Sequence, residues 1–154
     1  MSALTEPLAF KAALPPVGRL LCLDVGDKTI GLALSDGSRM VASPLETIER
    51  KKLAKDLETL KTIIARHAVC GLVVGHPLNM DGSSGPRAQS VRTFVSNLQK
   101  QVALPVLLWD ERLSTAAAER AMLEADLSRQ RRAQLVDKLA ASYMLQGLLD
   151  SLRA

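Results

Sequence analysis

Arg19–Asp36, RLLCLDVGDKTIGLALSD, decides how this chain folds. Leu20–Val25 is an apolar run broken only by Asp24, and Gly26-Asp27-Lys28 then supplies turn chemistry. From Ile30 the pattern alternates, with Ile30, Leu32 and Leu34 on one side and Gly31, Ala33 and Ser35 on the other. A strand, a tight glycine-containing turn and a second strand of period two make a β-hairpin. Asp24 is the residue out of pattern. A carboxylate inside a buried strand is costly unless a cation or hydrogen-bond donors meet it. Two environments satisfy it: a metal ion, or the backbone amides of residues 25–29, which is how aspartate behaves in turns.

The rest of the chain is punctuated around that hairpin. Residues 1–18, with Pro7, Pro15 and Pro16, read as an N-terminal arm ahead of a single domain at 19–154, with Leu8, Phe10 and Leu14 able to pack on its surface. Met40–Ile48 is a third strand, and Pro44 restricts it to an edge or a short pairing. Residues 50–66 form a helix: Leu53, Leu57, Leu60 and Ile64 recur at helical spacing, opposite a solvated face of Lys51, Lys52, Lys55 and Lys61. Val69–Gly75 is a continuous apolar run, the mark of a strand covered on both faces. The turn-rich loop HPLNMDGSSGPR follows, then a helix from about Pro86 to Val102 with Val91, Phe94, Val95 and Leu98 inward. Pro86 suits its first turn, with Ser84 or Gly85 as cap. Pro105–Trp109 is a short buried strand ending at Asp110-Glu111-Arg112, and two helices, about 114–127 and 128–152, close the chain. The order β-β-β-α-β-α-β-α-α predicts an α/β fold. Its mixed five-stranded sheet has three antiparallel strands, then two parallel ones, with helices packed on it.

Composition narrows the class. A chain of 154 residues is one domain, and 47% hydrophobic with 23% charged residues is a globular composition that excludes long disorder. Twenty Lys and Arg against sixteen Asp and Glu permit an anionic partner. Aromatics are Phe10, Phe94, Trp109 and Tyr143 alone, too few for base-stacking platforms as the main binding mode. Cys22 and Cys70 each lie in an apolar run, as buried thiols of a reducing compartment do, and no Cys/His spacing suits zinc. Neither a basic-then-apolar start nor an apolar run of 18 residues is present, so no signal peptide or membrane span is expected, and the cytoplasm is the expected location.

The chemistry-bearing residues are acidic. Asp24 lies in the first strand, Asp110 and Glu111 end the last, and Asp137 sits in the final helix, one position round from the apolar edge Val136, Ala140 and Tyr143. Strand carboxyl ends line the ligand crevice of α/β sheets. Carboxylates converging there would hold one or two Mg²⁺ or Mn²⁺ ions, which prefer oxygen ligands and keep water for hydrolysis. Asp137 facing water beside Lys138 is the other reading. Gly82, Gly85, the helix start and Arg87 could meet a phosphate, although no GxxxxGK[ST] loop is present, and an ordinary glycine-rich connection has the same composition. His76 reads as a loop residue and not a ligand. Arg129, Arg131 and Arg132 form a basic cluster suited to a nucleic-acid backbone or to a solvated helix start. Arg112 could orient a phosphate or pair with Glu111.

Four segments, LDVGDKTIGLALSD, VVGHPLNMDGSSGPRAQSVRTF, DERLSTAAAER and DKLAASYMLQGLLD, together resemble the YqgF/RuvX family in order and spacing, over about residues 18–152. Its members are small bacterial proteins of RNase H-like fold, described as Holliday junction resolvases and as nucleases for 16S rRNA precursor ends. The resemblance implies an RNase H-like sheet, metal-dependent phosphodiester hydrolysis, and an acidic site at Asp24, Asp110, Glu111 and Asp137. Asp24, Glu111 and Asp137 are the expected metal ligands. Glu111 is expected inward instead of Asp110, because successive strand residues face opposite ways. Asn79, Lys28, Arg87, Arg112, Arg131 and Arg132 are the expected substrate-side residues. His76 and Asp27 depart from the family pattern. The expected substrate is structured RNA, with a four-way DNA junction or a non-catalytic ribosome-binding role as rivals, and the expected assembly is a monomer or homodimer. An actin-like ATPase shares the D-x-G start but needs two such domains, more than 154 residues hold.

Overall fold

The computed structural model describes residues 2–113 and 129–153, with side chains described for 2–113 and 138–153. The strands are β1 (Arg19–Val25), β2 (Thr29–Ser35), β3 (Ala42–Glu49), β4 (Val69–His76) and β5 (Val106–Asp110). The helices are α1 (Pro7–Ala13), α2 (Leu53–Arg66), α3 (Pro86–Gln99) and α4 (Arg129–Arg153), with a 3-10 turn at Glu111–Leu113. The strands form one sheet in the order β3-β2-β1-β4-β5. β1-β2 and β2-β3 pair antiparallel, β1-β4 and β4-β5 parallel, as the element order predicts. Pro44, which has no N–H to give a ladder, stands on the edge strand β3 beside a register shift.

Alternation along the strands divides the core into two layers. On one face Leu21, Leu23, Leu72, Val74, Val106 and Leu108 pack against α2 and α3. On the other Leu20, Cys22, Val73, Leu107 and Trp109 pack against Phe10 of α1 and Ala141, Met144, Leu145, Leu148 and Leu149 of α4. Covering on both faces is why β1 and β4 read as apolar runs. Gln146 and Arg153 of α4 donate to Met40 O in the β2–β3 turn, and Met144 lies over Gly75 near the end of β4. The earlier turns of α4 therefore run toward the carboxyl ends of β1 and β4.

Some expectations change. The N-terminal segment enters the core, with Phe10 fully buried and Leu8 exposed. Leu4 N donates to Val106 O at 2.8 Å and Leu4 O accepts from Leu108 N at 2.8 Å, so this segment covers the outer edge of β5, which would otherwise present unpaired backbone groups. On α2 the buried stripe is Leu57, Leu60 and Ile63; Leu53 is its first residue and stays exposed, and Ile64 is half-buried. Cys22 is fully buried and Cys70 only half-buried. The predicted helix at about 114–127 lies outside the described residues. No described helix is long and apolar enough to cross a membrane.

Candidate active site

Asp24 is 5% exposed, one residue before the end of β1, on the α4 side of the sheet with Cys22. Leu23 is in register with Val74 of β4, so Asp24 and Gly75 come next on their two strands. β5 ends at Asp110, and the chain tightens into the 3-10 turn that begins at Glu111. The Glu111 side chain reaches back over Gly75: a Cβ there would lie 2.7 Å from Glu111 Oε1 and 2.8 Å from Met144 Sδ. Glycine is required for this approach. Both carboxylates act on one thiol, since burial first, then Asp24 and Glu111, push Cys22 well above the ordinary thiol range. The buried Asp24 and the half-buried Glu111 thus make a negative corner at the carboxyl ends of β1 and β4.

Asp110 faces a different partner. Its Oδ2 accepts from Arg112 Nη2 at 2.6 Å and its Oδ1 from Arg112 Nε and N, each at 3.0 Å. The Arg112 bonds hold the Asp110 carboxyl below the usual range and push the guanidinium up. Arg112 also donates through Nη1 to Met80 O at 3.3 Å, tying the loop after β4 to the end of β5. That loop is braced internally by Asn79 Nδ2 to Ser83 Oγ at 3.0 Å and by Gly82 N to Asn79 O at 2.8 Å, with Gly82 at φ 86°. Only glycine adopts that backbone cheaply.

Between this loop, the start of α3 and Glu111 lies a cavity of about 470 Å³ lined by Leu78, Asn79, Gly85, Arg87 and Glu111. Gly85 is the residue before α3, and its backbone, not a side chain, makes the cap. His76 is the buried last residue of β4, not a loop residue, and its Nε2 lies 3.0 Å from Arg92 Nη1. Burial and Arg92 lower its pKa from the ordinary 6.5, against an upward pull from Asp110. Neutral His76 therefore accepts from Arg92.

Of the residues expected from sequence, the structure brings Asp24 and Glu111 together and sets Glu111, Asn79 and Arg87 around one cavity. Asp110 and Arg112 pair with each other in place of the pairing of Arg112 with Glu111, because Asp110 lies two residues from Arg112 across the tight turn. Lys28 is exposed in the turn after Asp24. Asp137 lies on α4 two turns before Met144, which places its backbone on the same helical face and toward the strand carboxyl ends. The side chains of Arg129, Arg131, Arg132 and Asp137 lie outside the described residues. Gly75, Cys22 and Arg92 were not anticipated. A glycine closing an apolar strand run signals close approach; Arg92 carries no local signal.

The carboxylates of Asp24 and Glu111 form a hard-oxygen donor set, which suits Mg²⁺ or Mn²⁺ and not a soft metal. Among the described residues no group of three His, Cys, Asp or Glu side chains is placed to hold an ion, and a third ligand at Asp137 falls outside them.

Residues 18–151 match the family described as "RuvX: Holliday junction resolvase". A relative from Rhodobacter capsulatus is 60% identical over 143 residues, 93% of this chain and 90% of its own length, and is named "Putative pre-16S rRNA nuclease". A relative of the same name from Zymomonas mobilis is 58% identical over 142 residues, covering 92% of this chain and 86% of its own. Among solved structures, RuvC of Thermus thermophilus in complex with a Holliday junction substrate superposes with a TM-score of 0.54 at 13% identity, over 88% of this chain and 96% of its own. That likeness is one of fold, RNase H-like. The chain belongs to the RuvX family.

Proposed function

We propose that this protein is a Mg²⁺- or Mn²⁺-dependent nuclease that hydrolyses phosphodiester bonds in structured RNA, with the ends of the 16S rRNA precursor as its substrate during ribosome maturation. The observation that carries the reading is the buried Asp24 and the half-buried Glu111 at neighbouring strand carboxyl ends, with Glu111 and Arg87 lining one cavity. The name shared by its relatives supports that substrate. Asp24, Glu111 and Asp137 are the residues to hold the metal. Bound there, the metal supplies an activated water and charge stabilisation at the leaving oxygen. Glu111, which reaches over Gly75, would orient the attacking water. Arg87, Lys28 and Asn79 receive the substrate backbone, with Arg131 and Arg132 farther along, and Arg112 fixes the loop that forms the cavity wall. Asp110 serves through Arg112 and not as a ligand. Cys22, buried and with its thiol pushed up, stays protonated and is no nucleophile. Water attacks instead.

The family's description as a Holliday junction resolvase favours a second substrate, a four-way DNA junction, with the same hydrolytic chemistry. The protein acts in the cytoplasm on ribosomal particles, as a monomer or homodimer. A cleavage assay with Mn²⁺ tests both substrates side by side. Asp24→Asn removes a charge with little change of volume, so turnover on the RNA terminus should fall about a hundredfold or more while RNA binding persists. Retained cleavage in the variant defeats the assignment of Asp24, and junction cleavage alone moves the substrate to DNA. No cleavage of either, with binding intact, leaves a non-catalytic binding module.

A further inference from the structure

The outward face of α3 has an unusual composition. PRAQSVRTFVSNLQ, with Lys100 after it, contains no acidic residue. Val91, Phe94, Val95 and Leu98 are buried. The opposite stripe, Gln89, Arg92, Thr93, Ser96, Asn97 and Lys100, follows helical spacing and lines a shallow groove of about 340 Å³. Six consecutive stripe positions are therefore cations or neutral hydrogen-bonding groups. A solvated helix face ordinarily mixes both signs, as α2 does with Glu58 beside Lys55 and Lys61.

Arg92 fixes the groove to the active site. Its guanidinium donates through Nη1 to Ser84 Oγ at 2.6 Å, with His76 Nε2 at 3.0 Å, and through Nη2 to Gln89 Oε1 at 2.6 Å. Neutral side chains make these three contacts, so none of them cancels its charge. Ser84 precedes Gly85, which with Arg87 lines the Glu111 cavity. The groove thus begins where that cavity ends. From Gln89 to Lys100 it runs about 16 Å along the helix axis, long enough for several phosphates of one strand.

We propose that the α3 groove is an exit tract for the substrate RNA, binding the phosphodiester backbone of the strand that flanks the bond cleaved at Glu111. Arg92 and Lys100 contact phosphates, and Gln89, Ser96 and Asn97 donate hydrogen bonds to backbone oxygens. Such contacts set affinity and register and leave base sequence unread. This inference rests on the nuclease reading and adds where the flanking strand lies.

The test uses Lys100→Glu combined with Asn97→Glu, both on the outer stripe and away from the proposed catalytic groups. Lys61→Glu on α2 is the control for a charge reversal elsewhere on the surface. Binding and cleavage are measured on a long RNA that continues past the cleavage site, on a short one that ends at it, and on a four-way DNA junction. The double variant should bind the long RNA about tenfold or more weakly, and its log-affinity against log-salt slope should shrink by about one or more. The short RNA should be bound and cut as by the unaltered protein, and Lys61→Glu should behave normally on both. Equal affinity of variant and unaltered protein for the long RNA overturns the tract, as does an equal loss on both lengths. A loss confined to a four-way DNA junction overturns the RNA occupant. If the unaltered protein neither binds nor cuts either RNA, the nuclease reading fails first and the tract falls with it, an outcome separable from failure of the tract alone.

Discussion

Gly75 sets how close Glu111 can come to Asp24. A methyl group there meets Glu111 Oε1 at 2.7 Å and Met144 Sδ at 2.8 Å, closer than real Cβ contacts. Both are ends of flexible side chains, so the fold can yield at a cost of about 1–3 kcal/mol, but the carboxylate must move. Gly75→Ala should therefore lower kcat about tenfold or more, because misplacing a group by about 1 Å is that costly in catalysis, while the protein stays folded by circular dichroism. A variant with unaltered kcat would show that Glu111 need not sit where it does. Asp24 was legible in the sequence because it breaks an apolar run. Glu111 was legible only as one of a pair, since the pleat rule needs to know where the strand stops, and the chain leaves the pleat at Asp110.

At the scale of elements, turns hold the site. Arg50 precedes α2 and donates through Nη1 to Gly26 O at 2.8 Å, in the turn two residues after Asp24. Its Nε stands 3.6 Å from Oδ2 of the buried Asp56, whose Oδ1 accepts from Lys51 N at 2.9 Å, and its guanidinium lies 5.3 Å from the Phe94 ring centroid. One side chain links the β1–β2 turn, α2 and α3. Arg50→Met leaves the Asp56 charge buried without its cation and should destabilise the protein by about 2–3 kcal/mol in urea unfolding. It should also weaken Mn²⁺ binding by loosening Gly26; unchanged stability would mean that the carboxylate finds water instead. The β2–β3 turn depends on Asp36, which accepts from Ser38 Oγ at 2.6 Å, Met40 N at 2.8 Å and Val41 N at 3.0 Å. These bonds, that of Ser38 foremost, lower its pKa from 3.8 to about 2. The unfolded chain binds the proton more readily, so Asp36 contributes stability above pH 3.8 that is lost as pH falls toward 2. Between pH 5 and pH 2, Asp36→Asn should lose less stability than the native chain. Parallel curves would remove Asp36 from the acid response.

Across the whole molecule, the parts of the fold set by period and polarity were open to reading, because a two-residue alternation or a helical stripe is local. The docking of Phe10 into the α1–α4 layer and of Leu4 along β5 was not, because those partners lie about a hundred residues away, and three prolines disguise a segment that buries a side chain. The convergence of Asp24 with Glu111 is equally nonlocal and follows only from the crossover that lays β4 between β1 and β5. That convergence has a thermodynamic cost that can be measured. With no cation bound, the carboxylates of the buried Asp24 and the half-buried Glu111 repel each other and oppose the native state, whereas in the unfolded chain they are far apart and hydrated. An ion that binds only the folded protein stabilises it by mass action, about 2.7 kcal/mol at a hundred times its Kd. For a chain of this length that corresponds to a rise in Tm of roughly 5–10 °C. Thermal unfolding with increasing Mn²⁺ should show this rise in the native chain and its reversal by a chelator. Asp24→Asn should start from a higher metal-free Tm, because the repulsion is relieved, and gain much less from Mn²⁺. Equal gains in both proteins would place the ion elsewhere. A lower metal-free Tm in Asp24→Asn would mean that the native corner already satisfies the charge with hydrogen bonds.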